Sequence, residues 1–272
     1  MTKTKSTKRE GGLEYKLLLK QSDLIGKLGS LVKDDRRRHV STLFPLLDAI
    51  EDSTDTLLNL ARHGKMRDSY VISRVVFETS LNTCFILAGG DEHAEHAWRH
   101  ANQKMARDLD RIIQIADQTI RLKRSDADKI LSRPDVQKLL SEFTSKKGRE
   151  ITNWTPENAH KRLEAVYLKF GKADTAGLMW GFLLYRHASD IAHGTLFGGL
   201  FAYGATEKKP KTINDLANFR AEHIKIVLQL SAFSLNSVIR IIGSHLPNKE
   251  LVESSNRIQD EFGRRRAALV RK

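Results

Sequence analysis

The stretch Phe182-Leu-Leu-Tyr-Arg-His-Ala-Ser-Asp-Ile-Ala-His-Gly194 decides how the chain is read. Polar residues recur through it at helical intervals. Tyr185, Ser189 and His193 come every four residues; Arg186, Asp190 and His193 follow at four and then three. Gly194 supplies a stop, so the spacing predicts an apolar helix from about Asp174 to His193. Arg186 and His193 stand seven apart, nearly two full turns, and therefore share a face. An imidazole at a helix C-terminus meets the negative end of the dipole, which favours its protonated form and draws its pKa upward. Such a histidine can hold or deliver a proton near neutral pH. The plain alternative is a core histidine capping carbonyls.

A second apolar helix is expected from about Arg67 to Ala88, ending at Gly89-Gly90. It contains Val71-Ile-Ser-Arg-Val-Val-Phe-Glu-Thr-Ser-Leu-Asn82. Arg74 and Glu78 are four apart on one face, and Tyr70 and Asn82 extend that stripe a turn each way. A charge on an apolar helix has to be paired or hydrogen-bonded. The pair reads either as an ion pair that sets helix register or as part of a site.

Around these two helices the pattern is helical throughout, and the expected fold is all-α, a multi-helix bundle with long helices. Residues 1–12 read as a basic, disordered lead and 13–245 as the all-helical domain. Residues 246–272 read as a charged C-terminal helix or basic arm. Helices are expected from Leu13, over Val40–Arg62 with Pro45 in its first turns or kinking it, and over Glu157–Phe170. Others are expected over Asn214–Ser244 and from Asn248. Asp91 reads as the N-cap of a long charged helix reaching Arg124 through Ile112, Ile113, Ile115 and Ile120, with no sheet anywhere. Gly194–Ala205 reads as a mobile lid or a buried loop, followed by the basic Lys208-Lys209-Pro210-Lys211.

The balance of charge is basic, 46 Lys and Arg against 33 Asp and Glu, for a net +13 over 272 residues. Such a field favours RNA or another polyanion as partner. Part of it lies at the ends, in Lys3, Lys5, Lys8 and Arg9 and in Arg264, Arg265, Arg266, Arg271 and Lys272. Cys84 is the sole cysteine, which excludes an intrachain disulfide and a multi-thiolate zinc site. It sits in an apolar run as a packed thiol. No signal peptide and no spanning helix are read, so the cytoplasm is expected, without membrane insertion. No GxGxxG or GxxxxGK(S/T) motif is present, and no cofactor is expected. In Asp91-Glu-His-Ala-Glu-His-Ala-Trp-Arg-His100, His96 and His100 stand four apart on one helical face as a weak candidate metal site, with His93 or Glu92 as a third ligand.

Arg74-x-x-x-Glu78, followed by Tyr185-x-x-x-Ser189-x-x-x-His193-Gly194, resembles an uncharacterised bacterial all-helical family, over roughly residues 35–245. Arg186-His187 followed by His193 also resembles the HEPN superfamily (higher eukaryotes and prokaryotes nucleotide-binding), whose helical domains carry an Arg, often a polar residue after it, and a His beyond four to six intervening residues. That second resemblance implies a HEPN-like core and a metal-independent endoribonuclease, used as a toxin or antiviral effector. It further implies a homodimer that brings two Arg/His pairs together. His193 would act as general acid or base, and Arg186 would stabilise the phosphorane-like transition state. His187 would fill the polar position after the Arg. Glu78, Tyr185, Ser189 and Asp190 are then expected to orient them, while Arg74 pairs with Glu78 or adds to phosphate binding. The competing expectation is a non-catalytic scaffold for nucleic acid or protein, with a buried Arg/Glu/His network.

Overall fold

The structure, a computed structural model, describes residues 12–205, 210–246 and 249–271. The expected basic lead before Gly12, Lys208-Lys209 and Lys272 lie outside the described residues. The chain divides into two compact units, Met1–Ala88 with Ala159–Lys272, and Gly89–Asn158.

The first unit is a helical bundle. Helix α1 (Leu13–Lys33) buries Leu17, Leu18, Leu24, Ile25, Leu28 and Val32, at the three-and-four spacing of one helical face. That face packs on α3 (Phe44–Arg62) and α9 (Ile213–Gly243). The short α2 (Arg38–Ser41) leads into α3, where Pro45 occupies the first turn, the position at which a missing N–H costs nothing. Gly64, with φ +67°, ends α3 in the left-handed conformation. Thr212 and Asp215 form a reciprocal capping box at the start of α9. From there α9 buries Ile224, Leu228, Ser231, Leu235, Val238 and Ile242 in succession.

Helix α10 (Lys249–Val270) packs on α1 and α9 instead of standing apart as an arm. A buried polar knot fixes it. Ser255 Oγ donates to Gln21 Oε1 at 2.7 Å, and Asn236 Nδ2 donates to Ser255 Oγ at 2.7 Å. Gln21 and Ser255 are fully buried, so their mutual satisfaction is what makes their burial tolerable.

Helix α4 (Met66–Arg107) runs to Gly90, where φ +65° interrupts the helical backbone at the boundary between the units. Helix α7 (Ala159–Ala192) is interrupted in the same way by Gly171, φ +80°. The expected pair of helices over 157–193 is therefore one element with a break. By length and composition α4 and α9 are each apolar enough to cross a membrane, and more than half of each apolar window is buried inside the protein.

The second unit corrects the expected helix from Asp91 to Arg124. The helix stops at Arg107, and β1 (Asp110–Ile115) and β2 (Gln118–Lys123) form an antiparallel hairpin about Ala116-Asp117. Ala116 takes φ +54° at the turn. The β-branched residues Ile112, Ile113, Ile115, Thr119 and Ile120 favour a pleated strand over a helix turn. Arg107 closes the unit's interior: its Nη2 donates to the carbonyls of Leu140 and Phe143 and to Thr144 Oγ1 at 2.8 Å. Two short helices, α5 (Ala127–Leu131) and α6 (Pro134–Glu142), complete it.

Within the first unit, α7 and α9 meet at glycine. A Cβ on Gly177 would overlap the Phe233 carbonyl oxygen, and one on Gly181 would overlap Ser234 Oγ. Gly177 N–H also donates to Ser237 Oγ at 3.0 Å. Gly177→Ala is expected to destabilise the fold by about 1–3 kcal/mol, seen as a fall of several degrees in the thermal midpoint by circular dichroism. Gly199→Ala, whose methyl meets nothing within 4 Å, is expected to leave the midpoint in place. Equal midpoints for the two variants would mean that the helices do not touch at Gly177.

Candidate functional site: two faces of helix α7

The glycine contact turns one side of α7 onto α9 and distributes its polar residues over the rest of its circumference. Tyr185 and Ser189 lie on the side facing the first arm of α4. There Arg74 Nη1 donates to Ser189 Oγ at 3.3 Å, and the guanidinium carbon stands 5.1 Å from the centroid of the Tyr185 ring. Glu78 completes the arrangement from the same helix as Arg74, with Oε2 3.3 Å from Nε and Oε1 accepting from Nη2 at 3.5 Å. Nε has no aligned hydrogen bond, so the pair is held by charge more than by directed bonding. Phe77 and Phe182 pack beside Tyr185, the latter stacked at 5.7 Å. Arg74, Glu78, Tyr185 and Ser189 thus form one half-buried clamp between α4 and α7.

Arg162, which sequence reasoning did not single out, joins this clamp. Its Nη1 contacts Asn82 Oδ1, at the far end of the Arg74/Glu78 stripe. Burial lowers the pKa of its guanidinium, against the raising influence of the Glu78 carboxylate and of Tyr185. The partner lies 80 residues away in the chain, and no local pattern announces such a pairing.

The opposite flank of α7 carries His187. Its ring stacks on Phe201 at 4.8 Å with 10° between planes, and its Nδ1 is buried without a hydrogen bond. Phe201 belongs to α8 (Leu196–Ala202), which replaces the expected loop or lid over Gly194–Ala205. Thr195 caps α8 by accepting from Gly198 N–H, and its own hydroxyl donates to the Asp190 carbonyl. A Cβ on Gly198 would lie 2.6 Å from that carbonyl, which explains a glycine inside so short a helix. Tyr70, expected to extend the Arg74 stripe, instead hydrogen-bonds His223 Nδ1 at 2.7 Å and meets Phe201 edge-on.

Between the two flanks runs the outward stripe. Met179, Leu183, Arg186, Asp190 and His193 follow at spacings of four, three, four and three. Arg186 and His193 are exposed, and neither side chain has a partner among the described residues. His193 N–H bonds the Ser189 carbonyl, and Gly194 then turns the chain at φ +65°. The expected support therefore divides. Glu78, Tyr185 and Ser189 serve Arg74, and no described side-chain bond links them to Arg186 or His193. Asp190 is half-buried on the same stripe as the pair. Arg74 is paired with Glu78 rather than free for phosphate.

In the second unit the rings of His93, His96 and His100 turn to aromatic neighbours: His93 to Trp154, and both His96 and His100 to Phe143. Burial and the nearby Lys104 charge lower the pKa of His100. No group of three or more His, Cys, Asp or Glu among the described residues is arranged to hold a metal.

A family model described as a family of unknown function (DUF5677) matches residues 42–210. The chain belongs to this family. The matched span holds Arg74 and Glu78, the hairpin, and Arg186 through His193, so the clamp and the open stripe both lie in the part that defines the family. No curated protein and no solved structure matches the chain.

The clamp and the stripe separate by stability. Glu78→Ala strands a half-buried guanidinium and is expected to cost about 1–3 kcal/mol, between the values for exposed and buried pairs. His193→Ala is expected to stay within about 0.5 kcal/mol of the parent. Denaturant midpoints measure both; a loss at His193 equal to that at Glu78 would place the imidazole inside the network.

Proposed function

We propose that the protein is a HEPN-like, metal-independent endoribonuclease in which Arg186 and His193 carry the chemistry. The observation behind this reading is that these two side chains stand exposed and unpartnered on one stripe at the end of α7, while Arg74, Glu78, Tyr185 and Ser189 are occupied with each other. A guanidinium free of carboxylates is a bidentate donor for a phosphate. An imidazole beside it can move a proton in either direction.

In the proposed reaction the 2′-hydroxyl of the RNA attacks the adjacent phosphorus. The new 2′-O–P bond closes a cyclic phosphate as the bond to the 5′-oxygen breaks. His193 takes the hydroxyl proton or returns one to the leaving oxygen, and Arg186 holds the negative charge that accumulates on phosphorus-bound oxygens. One His per chain supplies one of the two proton transfers, so a homodimer that joins two pairs completes the acid–base set. The four-three spacing of Met179, Leu183, Arg186, Asp190 and His193 is that of a helix-pairing seam. Met179 and Leu183 are 44% and 58% exposed, apolar surface that a second copy would cover. We place such an activity in the cytoplasm, as a toxin or antiviral effector.

The alternative, a scaffold for nucleic acid or protein without turnover, draws on the Arg74 clamp, which has the occupied character of a structural element. The two readings part in one assay. The purified protein is expected to cut RNA in the presence of EDTA, leaving cyclic phosphate ends, and Arg186→Ala and His193→Ala are each expected to lower the rate by at least about a hundredfold. Cutting that persists in both variants removes this site. RNA binding without cutting in the parent protein favours the scaffold.

A further inference from the structure

Two cavities in the first unit lie away from the Arg186 stripe and share a wall. The larger, about 550 Å³, is bounded by α1, α3 and α9, with Tyr15, Arg62, Arg220 and Lys225 among its walls. The smaller, about 360 Å³, lies between the α3–α4 turn and α8, and is bounded by Lys65, Arg67, Tyr203 and again Arg220. Arg220 is half-buried on the first turns of α9 and faces both. Together they make one groove with five cationic side chains against two carboxylates, Glu14 and Asp68.

The state of those cations is the informative part. Lys225 is paired with Glu222 at 2.6 Å. The Arg62 guanidinium carbon lies over the Tyr15 ring, 4.8 Å from its centroid, so this cation is already engaged by the wall of the groove. Lys65, Arg67 and Arg220 have no carboxylate partner among the described residues. A half-buried arginine without a counter-ion is poorly solvated and unpaired at once, a condition that an anionic ligand relieves. Near the other end Tyr203 is 67% exposed, and its ring offers a stacking surface for a base. Spaced positive charge along a groove, with an aromatic ring at one end, suits a chain of phosphates better than a single one.

We propose that this groove binds the backbone of a single-stranded RNA and leads it to the Arg186/His193 stripe. The geometry of α8 makes the connection. Its seven residues advance about 10 Å, from the turn after His193 to Tyr203 at the groove. Arg220, Lys65 and Arg67 engage successive phosphates, and Tyr203 stacks a base between them and the stripe. The fate of the strand rests on the ribonuclease reading; its binding does not.

The test uses the full chain carrying His193→Ala, so that no RNA is consumed, and the fluorescence anisotropy of a labelled twelve-residue oligouridylate over a range of salt. Arg220→Ala is expected to weaken binding at least fivefold and to flatten the slope of log affinity against log salt by about 0.7, the value for one lost phosphate contact on a single strand. Lys65→Ala with Arg67→Ala, which removes two such contacts, is expected to weaken binding further and to flatten the slope by about 1.4, and Tyr203→Ala to weaken binding with the slope unchanged. Three results overturn the groove: an unchanged affinity and slope in the triple variant Lys65→Ala/Arg67→Ala/Arg220→Ala that still melts like its parent, uridine monophosphate binding as tightly as the oligomer, or no binding at low salt. Cleavage by the unmodified protein is scored separately. Groove variants that lose binding while the unmodified protein never cuts leave the groove standing without the ribonuclease; cutting that is insensitive to Arg220→Ala, with binding intact, leaves the ribonuclease without the groove.

Discussion

The closeness of α7 to α9 governs what the rest of the molecule can present. Glycine in a helix costs about 0.5–1 kcal/mol relative to alanine, and α7 carries Gly177 and Gly181 where the Phe233 carbonyl and the Ser234 hydroxyl approach. With these contacts made, α7 cannot rotate about its own axis without driving a side chain into α9. Its remaining circumference is then assigned: Tyr185 and Ser189 toward α4, His187 toward α8, and the line from Met179 to His193 outward. A helix free to turn by a single residue step would exchange these roles.

The two functional-looking stripes in the sequence end up with different fates because their neighbours differ. Arg74 lies opposite Tyr185 and Ser189 and beside Glu78, so its charge is satisfied within the fold. Arg186, one position along from Tyr185, is carried about 100° around the helix and has no described bond to α4. A change of one residue in position converts a structural cation into an available one. This is why the clamp and the stripe respond to different measurements, stability for the first and chemistry for the second.

Most of the helical frame was legible because burial and 3.6-residue periodicity agree in α1, α3, α7 and α9, and because Gly64, Gly90, Gly171 and Gly194 break helices where left-handed backbone is needed. The hairpin was not. Ile112, Ile113, Ile115 and Ile120 have intervals that fit a helix face as well as strands, and Ile112, Ile113, Ile115 and Ile120 are between 48% and 64% exposed, so no buried face betrayed a period of two. His187 read as a polar companion of Arg186, but successive residues on a helix point about 100° apart, and it went to the aromatic side with Phe201. The pairing of Arg162 with Asn82 depends on two segments meeting in space, which spacing within either one cannot encode.

Charge placement connects the fold to the proposed chemistry. A net charge of +13 attracts polyanions wherever it sits, but only unpaired cations on a fixed frame discriminate one trajectory from another. Arg240 illustrates the opposite case: it is bonded to Asp174 and Asn256 and contributes to holding α7, α9 and α10 together. Arg220, on the same helix and more than five turns earlier, has no such partner among the described residues. One helix therefore carries both a spent arginine and a free one. Arg240 is held where α9 meets Asp174 of α7, whereas Arg220 lies where α9 lines the two cavities and is left facing a groove.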